Sequence, residues 1–159
     1  MTHVLETGFE ILQRENPNGS PTVMGYNVIN GELRSSSDGE TFESRNPAWI
    51  DDCLGVFPLS TKEDVHDALK SARSAFSEWS MTPAPSRGQI IGNMGRLLME
   101  HKDDIVRVET REIGKTLKES AGEVQEAIDT CLFFQSEGRG LYGQTVNSEL
   151  PDKELFTYR

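Results

Sequence analysis

The 159-residue chain is poor in the residues that announce chemistry. It has two cysteines, Cys53 and Cys131, too few for a disulfide framework, and neither lies in a C-x-x-C pair or beside a histidine at metal-ligand spacing. Its three histidines, His3, His66 and His101, are scattered; His66 falls on the polar side of a helical pattern and His101 at a helix end. Basic residues are outnumbered, 16 against 26 acidic, for a formal charge of −10. That balance repels nucleic acid and anionic membrane surfaces. No apolar run approaches a membrane span, and Glu6 and Glu10 interrupt the N-terminus where a secretory leader would be apolar. What remains is the expectation of a soluble, cytoplasmic globular chain with no nucleic-acid or membrane partner.

The first half carries strand and turn signals. A short amphipathic stretch, Val4 to Arg14, precedes a turn-rich loop from Glu15 to Pro21. Met24 to Ile29, then Asn30-Gly31, then Glu32 to Arg34 predicts a hairpin, because Asn-Gly readily takes the positive φ values of a type I′ turn. Phe42 to Arg45 and Cys53 to Phe57 are two further strands joined through Asn46-Pro47. The expectation is a small antiparallel unit, too small to be stable alone.

The second half is helical. Ser60 with Glu63 reads as a capping box, followed by an apolar stripe of Val65, Ala68, Leu69, Ala72, Ala75, Phe76 and Trp79 at steps of three and four. Pro83 and Pro85 should end that helix near Ser80. A second start is expected at Ser86 with Gln89, burying Ile90, Ile91, Met94, Leu97 and Leu98. A third helix carries Ile105, Val108, Glu109 and Ile113 and stops at Gly114. The longest pattern, Thr116 to Gly138, has Leu117, Ala121, Val124, Ile128, Cys131 and Leu132 as its stripe. Gln144 to Val146 and Leu155 to Arg159 then alternate as strands do, around Pro151-Asp152. The last of these needs a partner, and nothing downstream supplies one.

Candidate chemistry is sparse on these residues alone. Both cysteines sit in apolar patterns that favour an inert, buried thiol. Gly138-Arg139-Gly140 and Gly143 follow a helix, whereas a dinucleotide fingerprint needs a strand before it and a helix after. Gly114-Lys115-Thr116 lacks the upstream glycine of a phosphate loop, since position 109 is Glu. The carboxylate pairs Asp51-Asp52 and Asp103-Asp104 fall at turns or helix starts and read as solvated caps. Glu123 and Glu126, three apart on the long helix, read first as a solvated face.

The order of short motifs nevertheless resembles the N-terminal segment of the NAD(P)-dependent aldehyde dehydrogenase superfamily. The resemblance rests on Ile29-Asn30-Gly31-Glu32-Leu33, Asn46-Pro47-Ala48, the helix from Ala68 to Trp79, Arg87, Glu112-Ile113-Gly114-Lys115-Thr116 and Gly122-Glu123-Val124. Pro83 to Gly88 and Gly122 to Glu126, with Thr7-Gly8-Phe9 and Glu15-Asn16, look most like the branch that includes α-aminoadipic semialdehyde dehydrogenase. The implied fold is α/β, its N-terminal part only. It comprises an extension over 1–23, a β-hairpin region over 24–59, helices over 60–143, of which those from Ser60 to Gly114 cover a coenzyme-domain sheet, and over 144–159 the start of the hairpin through which family subunits form homo-oligomers. The implied reaction oxidises an aldehyde to an acid through a cysteine thioester with NAD or NADP. The groups that do it belong to family segments beyond residue 159. No catalytic or cofactor-binding role is therefore transferred to this segment, and tight coenzyme binding is not expected of it. Glu123 alone is carried over, as a contact for a polar or cationic end of the substrate at the mouth of its tunnel. An alternative is a non-catalytic interaction or regulatory module that associates with full-length subunits.

Overall fold

The computed structural model describes residues 9–15, 19, 21–140 and 142–158. The protein is α/β, with eight strands in three sheets and four helices among the described residues. They group into two units, one of residues up to Met81 with Asp103–Gly122, the other of Thr82–Lys102 with Glu123–Arg159.

In the first unit, β1 (Phe9–Glu15), β2 (Pro21–Gly25), β5 (Thr41–Arg45) and β6 (Cys53–Pro58) form one sheet in the order β1-β2-β6-β5. The amphipathic stretch thus ends in a strand; its residues 4–8, and most of the 15–21 loop, lie outside the described residues, as does His3. The β1–β2 and β5–β6 pairs are antiparallel, but β2 joins β6 in parallel, Val23 opposite Gly55 and Met24 opposite Val56. The expected antiparallel unit is therefore a mixed sheet. A local turn announces an antiparallel pair, whereas a parallel pair is closed by chain far away in sequence. Close approach at this seam requires glycine: a Cβ on Gly55 would stand 2.7 Å from the Val23 carbonyl oxygen. Thr22, fully buried, donates from Oγ1 to the Cys53 carbonyl at 3.2 Å.

The Asn-Gly hairpin forms as expected, but on shorter arms. It joins β3 (Asn27–Ile29) to β4 (Glu32–Arg34), with Asn30 and Gly31 at φ 55° and 76°. Met24 and Gly25 belong instead to β2.

Helix α1 (Lys62–Met81) starts one residue later than the Ser60–Glu63 spacing predicts. Its capping box is Thr61–Asp64: the Thr61 N–H donates to Asp64 Oδ2 at 2.7 Å, and the Asp64 N–H to Thr61 Oγ1 at 3.3 Å. Ser60 is drawn away into a hydrogen bond with Asn27. Asp64 also accepts from the Ser37 N–H and the Ser36 hydroxyl, so the hydrogen bond from the Thr61 N–H, with these others, holds its carboxyl below the usual range against the opposing effect of burial. The apolar stripe is exposed, contrary to expectation: Leu69 is 65% and Phe76 60% accessible, and Val65 and Trp79 are also open. The periodicity marks a face made for contact; Val65 and Ala68 share a pocket with β3, and Leu69, Phe76 and Trp79 stand open.

Helix α3 (Lys102–Ile113) ends as expected at Gly114, φ 74°. Its buried residue is Val106, while Val108 and Ile113 stand exposed.

In the second unit, α2 (Ala84–Glu100) starts two residues before Ser86. Pro83 occupies the cap and Pro85 the first turn, where a missing N–H costs nothing; the Ser86 and Arg87 N–H groups donate to the Pro83 carbonyl. Its buried residues are Gly88, Gly92 and Gly95, whereas Ile90, Met94 and Leu97 are exposed. Glycines face α4 (Leu117–Glu137), whose residues from Glu123 on belong to this unit and those up to Gly122 to the first, because the two backbones lie too close for side chains. A Cβ on Gly88 would meet the Gln135 carbonyl oxygen at 2.6 Å, and one on Gly95 would meet Cys131 Cβ at 2.8 Å. The α4 stripe holds at Val124, Ile128 and Cys131, all buried, but Leu117 and Leu132 are exposed. Finally β7 (Thr145–Asn147) and β8 (Glu154–Phe156) pair antiparallel. The last strand therefore has a partner, supplied from upstream, with Asp152 at φ 62° in the connection.

Candidate functional site

Helix α4 carries the one sequence-predicted site residue. Its start is fixed by a second box, Thr116–Glu119: the Thr116 hydroxyl donates to Glu119 Oε2 at 2.8 Å, and the Glu119 N–H to Thr116 Oγ1 at 3.3 Å. Glu123 precedes buried Val124 and is itself exposed, as is Glu126. Beside Glu123, Gly122 leaves open space, with nothing within 4 Å of where a Cβ would stand. A little further along, Lys102 Nζ donates to Gln125 Oε1 at 2.7 Å, and Gln125 Nε2 to Asp129 Oδ1 at 2.9 Å. Glu123 and Glu126 are thus exposed carboxylates on α4.

At the end of α3 lies a cluster that sequence reasoning missed. Asp52, read as a solvated turn residue, is fully buried: its carboxylate accepts from Arg111 Nη2 at 2.7 Å and Nε at 3.0 Å. Asn46 Nδ2 adds a third bond at 3.2 Å, and the Asn46 N–H donates to the Asp52 carbonyl at 2.9 Å. The loop between them is closed by the Ala48 N–H on Asn46 Oδ1 and by Arg45 on the Ile50 carbonyl. Position 52 adjoins the apolar strand from Cys53, which was the one local hint of burial. Nothing local points to Arg111, 59 residues away. Lys115, which superficially echoed a phosphate loop, pairs with half-buried Glu109 at 2.7 Å.

The other candidate groups are not brought together. Cys53 is 1% and Cys131 6% accessible, both in apolar strand or helix positions as expected. Cys131 forms part of the wall of an apolar groove of about 530 Å³ between α2 and α4, with Gly88, Ile91, Met94 and Phe134, and with Arg87 at its edge. His66 and His101 are exposed, and the described residues hold no group of three metal-ligating side chains. Among the described residues, no helix is long and apolar enough to cross a membrane. The glycines at 138 and 140 follow α4 and are succeeded by β7 rather than by a helix, so they do not form the strand-to-helix turn of a dinucleotide fingerprint.

Comparison with known proteins adds the following. The model of the aldehyde dehydrogenase family matches residues 33–159. The chain is 38% identical over 131 residues to the alpha-ketoglutarate semialdehyde dehydrogenase of Haloferax volcanii, covering 82% of this chain and 27% of that protein. It is 35% identical over 132 residues to the NADP-dependent succinate-semialdehyde dehydrogenase of Escherichia coli, covering 83% and 27%. Among solved structures it matches an Escherichia coli NADP-dependent enzyme with TM-score 0.74 at 35% identity, over 82% of this chain and 27% of that one. It also matches a Staphylococcus aureus betaine aldehyde dehydrogenase in complex with NAD+ with TM-score 0.73 at 29% identity, over 81% and 26%. The chain thus spans about a quarter of the length of the relatives it matches.

Proposed function

The chain belongs to the aldehyde dehydrogenase family, and on that premise we propose that it supplies scaffold and part of the substrate entrance to an enzyme that oxidises an aldehyde to the carboxylic acid with NAD or NADP. The observation that carries this reading is the family match through α4 and the β7–β8 hairpin in a segment whose two thiols are both buried. A nucleophilic cysteine must meet its substrate as an accessible thiolate, so that role falls to other parts of the enzyme, together with the general base and the coenzyme site. Residues up to 143 are assigned to the coenzyme-binding domain and 144–159 to the start of the oligomerisation hairpin. The exposed apolar row of α1 and the exposed Val146 and Phe156 of the hairpin suit those positions, because such surface is retained where another element covers it.

Glu123 is assigned to the substrate entrance. Its charge carries a consequence for specificity. Succinate and alpha-ketoglutarate semialdehydes, which name the relatives above, end in a carboxylate alone that a neighbouring Glu repels, whereas a substrate end that carries an ammonium group is attracted.

Two measurements test the reading. The 159-residue chain incubated with NAD or NADP and either class of aldehyde is expected to form no reduced coenzyme; sustained turnover overturns the assignment of catalysis to other segments. In a complete dehydrogenase carrying this segment, Glu123→Gln is expected to raise KM for an aldehyde with a cationic end several-fold and to leave, or lower, KM for a carboxylate-bearing one. KM values unchanged from those of the parent for both classes remove Glu123 from the entrance.

A further inference from the structure

We propose that Asp52 and Arg111 are a positioning pair for helix α4, fixing the direction in which its first turn leaves α3; this rests on the reading that α4 stands at the substrate entrance. The argument begins with the cost of the pair. Asp52 is fully buried and the Arg111 side chain only 18% accessible, so two charges are taken out of water, and for stability alone an apolar pair of similar volume does as well or better. What a two-point Arg–carboxylate contact adds is orientation, because the planar fork fixes the carboxylate in both distance and angle.

Three contacts pass that orientation on to α4. Gly114, at φ 74°, lies directly beneath the loop: a Cβ there would stand 2.9 Å from Pro47 Cγ and 3.0 Å from the Ala48 nitrogen. The loop closed by Asp52 therefore presses on the turn that ends α3. One helical turn back, Thr110 Oγ1 donates to the buried Ser120 hydroxyl at 2.8 Å, tying α3 to the first turn of α4. Thr116 and Glu119 then close the box that starts the helix. The link from Gly114 to Thr116 is thus held at both ends, and Glu123 follows that first turn on the same helix.

The test uses the complete dehydrogenase carrying this segment, at a temperature where circular dichroism shows every variant folded. Arg111→Lys keeps the charge and removes the fork. It is expected to raise KM for the aldehyde several-fold while kcat falls much less. Thr110→Val should do the same with the Asp52 pair intact, and Thr110→Ser, which restores the hydroxyl, should return KM to the parent value. A lowered melting temperature with unchanged KM in both Arg111→Lys and Thr110→Val overturns the proposal, since a purely structural contact behaves that way. Glu123→Gln is run alongside. If it shifts KM and the Arg111 and Thr110 variants do not, the positioning pair alone fails; if it shifts nothing, the entrance reading fails and this proposal with it.

Discussion

Three helical glycines allow the packing of α2 on α4 to be measured against an internal standard. Replacing Gly122, Gly92 or Gly88 by Ala confers the same gain in helix propensity, about 0.8–1.0 kcal/mol, so any difference among the variants is steric. At Gly122 the new methyl meets nothing within 4 Å, and the variant is expected to gain most of that propensity. At Gly92 it lands on the side-chain amide of Gln135, a flexible end that can swing away, at the loss of the long 3.4 Å bond from Arg96. Its stability should stay near that of the parent. At Gly88 the obstacle is the Gln135 carbonyl oxygen at 2.6 Å, with the Gly138 Cα at 3.4 Å; backbone cannot rotate away, so the helices must part. Overpacking of that kind costs about 1–3 kcal/mol, and Gly88→Ala should fall below Gly122→Ala by that amount. Urea unfolding followed by far-ultraviolet circular dichroism gives the order of midpoints directly. If Gly88→Ala matches Gly122→Ala, the close approach of the two backbones is wrong, and with it the explanation for the glycine face.

Two further outcomes follow from the N-terminus of α1. Thr61→Ala removes the cap hydroxyl and should destabilise by about 1 kcal/mol, while Ser60→Ala, which loses only its two exposed hydrogen bonds with Asn27, should change little; equal effects in thermal melts would return the cap to Ser60. The Asp64 carboxyl, held low first by the hydrogen bond from the Thr61 N–H, has a folded-state pKa below that of the unfolded chain. The stability it contributes is therefore fully present above about pH 4, near the usual Asp value, and is lost as pH falls through the lower folded value. Asp64→Asn should flatten the acid limb of a plot of stability against pH, and an unchanged limb would show that the carboxylate is not what these donors stabilise.

The parts of the fold legible in the sequence are those set within a few residues. Asn30-Gly31 specified its turn because few other dipeptides reach positive φ twice, and Gly114 specified a helix end for the same reason. Periodicity placed all four helices, and the buried α4 residues Val124, Ile128 and Cys131 lie on the stripe it marked. The errors share a cause. Ser60 and Thr61 both offer a cap, and Asn27, far away in sequence, takes Ser60. The stripes of α1 and α2 were read as buried faces because an apolar row signals contact, yet the row says nothing of when its partner arrives; in α2 the glycines between the apolar positions make the closest contacts. The final strand found its partner behind it, across the Pro151-Asp152 turn.

The candidate site divides in the same way. Order of motifs alone pointed to the aldehyde dehydrogenase family and to Glu123, since a family's short motifs survive as local sequence. Asp52 and Arg111 could not be paired from sequence, because adjacent acids at a turn look alike whether solvated or buried. By itself the sequence determined the turns, the helix spans and the family, all properties of neighbouring residues. Only the tertiary structure decided that β2 runs parallel to β6, that glycines rather than leucines face α4, and that a buried ion pair holds the turn before that helix. Each of these depends on which distant backbone excludes water or side chains from a given atom, and that is a matter of where the chain comes back to.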